Sequence, residues 1–235
     1  MADTLTTDQP HTRVVGVVST RSTWETLGHA EQPCDWVELR LDALAPADRL
    51  LPLSAPCPLP LLLTPRHKSE GGNCDWTEEE RIEITRRLLP AATALDWEIA
   101  QLGSAAELLA EARARGVAIV ASAHYFNGMP TLAEMCELEA TAKAAGADIV
   151  KIAFTPADEA QMAVGVEFLQ RPRQGIRAAV MGMGPLAPAS RALYTRHGSA
   201  LLYGYLGHTP TAPGQLSAEA CRTMRDAQEP TSEKP

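Results

Sequence analysis

VAIVASAHYFNGMPTLAEMCELEATAKAAGADIVKIAF, residues 117–154, holds the pattern that decides the fold. Two short apolar runs, VAIVASAH (117–124) and the strand-like IVKIAF after GAD, flank the longer run TLAEMCELEATAKAA (131–145). The first and last read as strands and the middle as a helix. A connection of that length suits a parallel crossover, which a hairpin turn does not provide. Lys151 stands inside the second strand with apolar and β-branched residues on both sides. An ammonium is least welcome in a strand buried on both faces, which favours a neutral amine able to act as a nucleophile. A lysine that snorkels to an edge or pairs with a carboxylate explains the same pattern.

The unit repeats outward in both directions. Toward the N-terminus the strands are VVGVVS (14–19), WVELRLD (36–42), PLLLTPR (60–66) and ALDWEIA (94–100). Between them stand a helix over STWETLGHA, a short one near 46–50, one from Thr77 to about Leu89, and one over SAAELLAEARARG. Thr77 and Glu80 form a capping box; Ser104 is expected to cap the following helix and Gly116 to close it. Toward the C-terminus a helix from about Ala157 to Gln170 leads to RAAVMGM (177–183). A helix over 188–196, ALLYGYL (200–206) and a helix starting at Ser217 complete the count. About eight strand-helix units predict an α/β chain closed as a single (β/α)8 TIM barrel over residues 13–227. Flexible ends are expected at 1–12 and 228–235. An open doubly wound sheet is the alternative, but the sequence has neither GxGxxG after the first strand nor GxxxxGK[ST].

Composition narrows the function. The 235 residues are 45% hydrophobic with a net charge of -8, against the clustered positive charge that nucleic acid or an anionic membrane surface requires. Five scattered cysteines without a CxxC pair suit reduced thiols and a cytoplasmic setting better than disulfides or a zinc site. No apolar run approaches a membrane span, and MADTLTTDQPHTR lacks the apolar segment of a signal peptide.

In a barrel, ionisable residues should gather where strands pass into the following loops. Glu38, Arg40 and Asp42 alternate along strand two; strand three ends at Arg66, strand four carries Glu98, strand five ends in His124 and strand six carries Lys151. Singly, each has a structural explanation as an ion pair or a satisfied histidine. Strands four, five and six are neighbours in the barrel, so Glu98, His124 and Lys151 are expected in one pocket as orienting carboxylate, acid/base and nucleophile. Such a lysine condenses with a carbonyl to an iminium, which acidifies the adjacent carbon for the histidine. Arg40 and Arg66 would favour the free amine and hold polar groups of a small anionic ketone.

The motifs VELRLD, TPRHKSEGG, LDWEI, SAHYF, GADIVKIA, MGPLAPASR and TAPGQLS stand in an order and spacing that resemble the type I 3-dehydroquinate dehydratases. The resemblance runs from about Val14 to Arg225. It implies that Lys151 forms a Schiff base with the C3 ketone of 3-dehydroquinate, that His124 takes the C2 proton, and that Glu98 orients His124. It further implies substrate contacts from Glu38, Arg40, Arg66, Met183 and Arg191, with Arg191 on the carboxylate, and from Thr211 and Gln215 in a closing loop, GHTPTAPGQ. It implies no cofactor, no metal, and a homodimer. Tyr125, Ala187, Pro188 and Thr211 depart from the residues usual in the family, and none of them is a reacting group. A Schiff-base aldolase-type barrel acting on sugar phosphates, and a non-catalytic barrel binding a related metabolite, are the competing readings.

Overall fold

A computed structural model describes residues 11–29, 31–44, 57–208, 210 and 214–228. The expectations for residues 1–10, 46–50, Thr211 and the tail from 229 lie outside them. The strands are β1 (Arg13–Val18), β2 (Trp36–Arg40), β3 (Leu61–Thr64), β4 (Ala94–Glu98), β5 (Ala118–Tyr125), β6 (Ile149–Phe154), β7 (Arg177–Gly182) and β8 (Leu201–Tyr205). The helices are α1 (Arg21–Thr26), α2 (Leu41–Leu44), α3 (Glu78–Leu88), α4 (Ala106–Ala114), α5 (Leu132–Ala144), α6 (Glu159–Gln170), α7 (Ala187–Arg196) and α8 (Ala218–Asp226). All paired strands are parallel, in the order β7-β6-β5-β4-β3-β2-β1-β8.

The two ends of that order meet, so the sheet forms a nearly closed (β/α)8 barrel. At the β7–β8 seam the Ala200 N–H donates to the Ala178 carbonyl (2.8 Å), and the Ser199 hydroxyl accepts from the Val180 N–H (3.0 Å). Thr12 donates to the Ser199 carbonyl (2.7 Å), which ties the segment before β1 to the same seam.

Apolar alternation explains the two layers of core. One set, including Val15, Val17, Trp36, Leu62, Val120, Ile149 and Leu201, fills the barrel interior. The intervening residues, such as Val14, Val37, Leu39, Leu63, Ile119, Val150 and Ile152, pack outward against the helices. Helix starts follow the caps: Thr77 with Glu80 and Thr131 with Glu134 are complete capping boxes, and Asp158 and Ser217 cap α6 and α8. Two local expectations change. Ser104 does not cap α4, because its hydroxyl bonds to Glu78 (2.7 Å) and Ala105 takes the cap position without a side-chain bond. Strand two ends at Arg40, and the chain coils at once into α2, so Asp42 leaves the strand alternation.

Candidate active site

The strands deliver their polar residues to one cavity of about 120 Å³ at the C-terminal rim of the barrel. Its walls include Glu38, Arg40, Arg66, Glu70, His124, Phe126, Lys151, Met183, Arg191, Tyr203 and Gln215. The cavity thus brings together all the expected site residues except Glu98 and Thr211; Thr211 lies outside the described residues.

Lys151 is 3% exposed, and its Nζ donates to Asp96 Oδ2 (2.8 Å). The same Nζ stands 4.5 Å from the centre of the Tyr203 ring, a cation-π arrangement. Asp96 also accepts from Arg66 Nη2 (2.7 Å) and from Ser122 (2.6 Å). Burial alone would raise its carboxyl, but the cations Arg66 and Lys151 and these hydrogen bonds outweigh it and hold it at about 2. Lys151 therefore has the carboxylate partner that one reading of its sequence context offered, and it stands in the cavity wall.

The carboxylate at His124 is Glu70. Glu70 Oε2 lies 2.8 Å from His124 Nδ1. Glu98, expected in that role, instead accepts from Arg66 Nη1 (2.8 Å), the His67 N–H (2.9 Å) and Arg81 Nη2 (2.5 Å). Strand register gives the reason. Glu98 is level with Ser122, and Ser122 is level with Lys151, whereas His124 is two residues further along β5. Two residues of strand are about 6–7 Å, which puts Glu98 a layer below the imidazole. Glu70 comes from the loop after β3, which turns back at Gly71 (φ +86°) and closes with the Gly72 N–H on the His67 carbonyl (3.0 Å). A Cβ on Gly72 would lie 2.1 Å from the Arg66 carbonyl oxygen, so the second glycine is required by close approach.

Burial pushes the His124 imidazole well below 6.5, and Arg66, Lys151 and Arg40 add to the effect. Burial raises Glu70 from 4.5 to about 7, aided by Glu98 and Asp96 and opposed by Arg66. Near neutral pH the His124 imidazole is uncharged, and its Nδ1 shares a hydrogen bond with a carboxyl group raised to about 7. Folding binds a proton at Glu70 between pH 4.5 and about 7, a window in which the unfolded chain has released it. The contribution of this group to stability therefore declines as pH rises through that window.

The remaining walls are set by ion pairs and packing. Glu38 accepts from Thr64 (2.8 Å), and Arg40 grips Asp42 through Nε and Nη2 (both 2.8 Å) while reaching the Gly71 carbonyl (3.3 Å). Arg66 lines the cavity, yet its two terminal nitrogens are engaged by Glu98, Ser122 and Asp96, so it braces the wall. Arg191 is different. It is 3% exposed, its Nη1 makes a long contact to the Tyr203 carbonyl (3.4 Å), and its Nε has no partner among the described residues. A buried guanidinium with an unsatisfied Nε at a cavity wall is suited to an anion. Ala187 begins α7 with Pro188 in its first turn, and Arg191 follows one turn later, so these departures leave the arginine on the cavity.

Sequence reading missed Asp96, Glu70, Ser122 and Tyr203. Alternation with Glu98 signals Asp96 as inward-facing. The others are revealed by contacts across 54 or more residues, or by a ring face that periodicity does not report.

Fold and cavity together define a (β/α)8 barrel with a lysine, a histidine and a poorly satisfied arginine converging at its C-terminal rim. The model of the family described as Type I 3-dehydroquinase matches residues 15–230, and the chain belongs to that family. A 3-dehydroquinate dehydratase from Methanothrix thermoacetophila is 34% identical over 189 residues, 80% of each chain. Among solved structures, 3-dehydroquinate dehydratase from Geobacillus kaustophilus superposes with a TM-score of 0.83 at 24% identity, covering 95% of this chain and 93% of that one. The Enterococcus faecalis 3-dehydroquinate dehydratase gives 0.81 at 25% identity, covering 96% and 98%.

Proposed function

We propose that this protein is a hydro-lyase that converts 3-dehydroquinate to 3-dehydroshikimate and water through an imine on Lys151. The observation that carries the proposal is one cavity lined by Lys151, His124 and Arg191 in a chain of this family. The Lys151 amine adds to the C3 ketone and water leaves, giving an iminium that draws electrons from the adjacent carbon. Uncharged His124 takes the C2 proton, and the electron pair forms an enamine. The enamine expels the C1 hydroxyl, which leaves as water with the proton that His124 returns. Water then hydrolyses the product imine, replacing the molecule lost when it formed. The net change is loss of one water from the substrate, and the lysine itself is the electron sink.

Asp96 fixes the direction of Nζ, and Glu70 fixes the ring of His124 and accepts its Nδ1–H. Arg191 receives the substrate carboxylate, while Glu38 and Arg40 face its hydroxyls. Met183 and Phe126 supply apolar contact, and Gln215 closes one side of the cavity.

Appearance of the conjugated enone by ultraviolet absorbance, with 3-dehydroquinate as substrate and sugar phosphates as controls, tests the assignment. Turnover of 3-dehydroquinate alone is expected; cleavage of a sugar phosphate without enone formation would overturn it. Arg191→Ala should raise KM roughly 10- to 100-fold with a smaller change in kcat, because a charged hydrogen-bond partner of the carboxylate is lost. Glu70→Gln should lower kcat roughly 10-fold or more and remove the rise in activity with pH through about 7, since only the carboxylate form strengthens His124 as a base. A Glu70→Gln profile with that rise intact would place the titration elsewhere.

A further inference from the structure

Arg81 lies on α3 and is absent from the lining of the cavity, yet it is 1% exposed and carries a full set of partners. Its Nη2 donates to Glu98 Oε2 (2.5 Å), Nη1 to Glu78 (2.8 Å) and Nε to the Pro65 carbonyl (3.0 Å), and its guanidinium rests 4.3 Å from the centre of the Trp97 ring. The other oxygen of Glu98 is where two lines of contact divide. One runs through Arg66 to Asp96 and from Asp96 to Lys151 Nζ. The second runs through the His67 N–H into the loop that carries Glu70, whose carboxyl meets His124 Nδ1.

We propose that Arg81 is a positioning residue for both reacting groups, acting through Glu98. The inference rests on the imine reading of Lys151. Five charges alternate along the first line: Arg81, Glu98, Arg66, Asp96 and Lys151. Each carboxylate is held between two cations, so Glu98 is centred only while Arg81 balances Arg66. Without Arg81, Glu98 is left buried with one cation and is drawn toward Arg66. That movement shifts Arg66 against Asp96, and it slackens the Pro65–Gly72 segment at the two points where Arg81 and Glu98 grip it. A nucleophile and a base misplaced by about 1 Å lose rate out of proportion to binding. The substrate-facing Arg191 is untouched, so binding changes less than turnover.

The test compares the intact chain with Arg81→Met, Arg81→Lys, Glu98→Gln and the Arg81→Met/Glu98→Gln double variant. Turnover of 3-dehydroquinate and borohydride trapping on Lys151 are followed together. Arg81→Met is expected to lower kcat about 10-fold or more while KM stays within about 3-fold, and to slow trapping as well. Arg81→Lys, which keeps the charge, recovers part of the loss. The double variant is no slower than Arg81→Met alone, because both changes break one link. Unchanged kcat in soluble Arg81→Met, or losses that multiply in the double variant, would overturn the proposal. Should Arg81→Met fail to fold, Arg81→Lys decides: reduced kcat at an unchanged melting temperature supports positioning, and full kcat at a lowered one reduces Arg81 to a structural residue. Wild-type protein that traps no ligand on Lys151 would remove the imine reading itself, which the Arg81 variants alone cannot do.

Discussion

Lys151→Met is expected to lower turnover of 3-dehydroquinate by about 10^4-fold or more, the scale on which loss of a covalent nucleophile is felt. The expectation follows from the position of Nζ, buried at the wall of the cavity and directed by Asp96. Methionine fills most of the space of the lysine stem, and Asp96 keeps Arg66 and Ser122 as partners, so the change does not strand a buried carboxylate. The folded state should persist, with an unaltered circular dichroism spectrum. Enone formation by this variant within about 10-fold of wild type would show that the reaction does not pass through Lys151.

His124→Ala separates the two halves of the chemistry. Imine formation needs the lysine, whereas removal of the C2 proton and delivery of a proton to the departing hydroxyl need the imidazole. Dehydration should fall about 10^2- to 10^4-fold, the usual contribution of a placed acid/base group. Borohydride in the presence of 3-dehydroquinate should still attach ligand to the lysine. Near-normal dehydration would remove His124 from the mechanism, and loss of trapping with loss of dehydration would make it part of imine formation. The Glu70 pairing sharpens this expectation. With Nδ1 committed to the Glu70 carboxyl group, the proposed proton transfers fall to the other ring nitrogen, Nε2.

The barrel was legible because its evidence is local and repeated. Apolar runs such as Leu61–Thr64 and Ile149–Phe154 became strands, and the Thr77–Glu80 and Thr131–Glu134 boxes began helices where the pattern placed them. Residues at strand ends were legible for the same reason: once the strands are parallel neighbours, Lys151, His124, Arg66 and Glu38 must share a rim. Glu98 shows the limit of that reasoning. Strand order makes β4 and β5 adjacent, but only register says which residues are level, and register places Glu98 beside Ser122 and below His124. Glu70 was hidden for a different reason. It sits in the irregular segment HKSEGGNCDW, where no periodicity assigns a direction, and its partner is 54 residues away. The glycines that follow it were a usable signal, since paired glycines mark a close backbone approach that fixes the preceding side chain.

Register also changes what the lysine means. An ion pair and a reactive amine began as competing explanations of Lys151; the structure holds the ion pair, with Asp96 fixing Nζ at the cavity wall, and the proposed imine chemistry is compatible with it. The same view assigns different work to the three arginines of the rim. Arg66 braces carboxylates, Arg40 is clamped to Asp42, and Arg191 retains a buried Nε without a partner among the described residues.

A covalent imine on Lys151 is open to capture by reductive trapping. Wild-type protein is treated with borohydride in the presence of 3-dehydroquinate, digested, and its lysine-containing peptides are weighed. One ligand-derived adduct is expected, on the peptide containing Lys151 and nowhere else. An adduct confined to Lys68 or Lys143, or turnover at full rate with no adduct trapped at all, would contradict it.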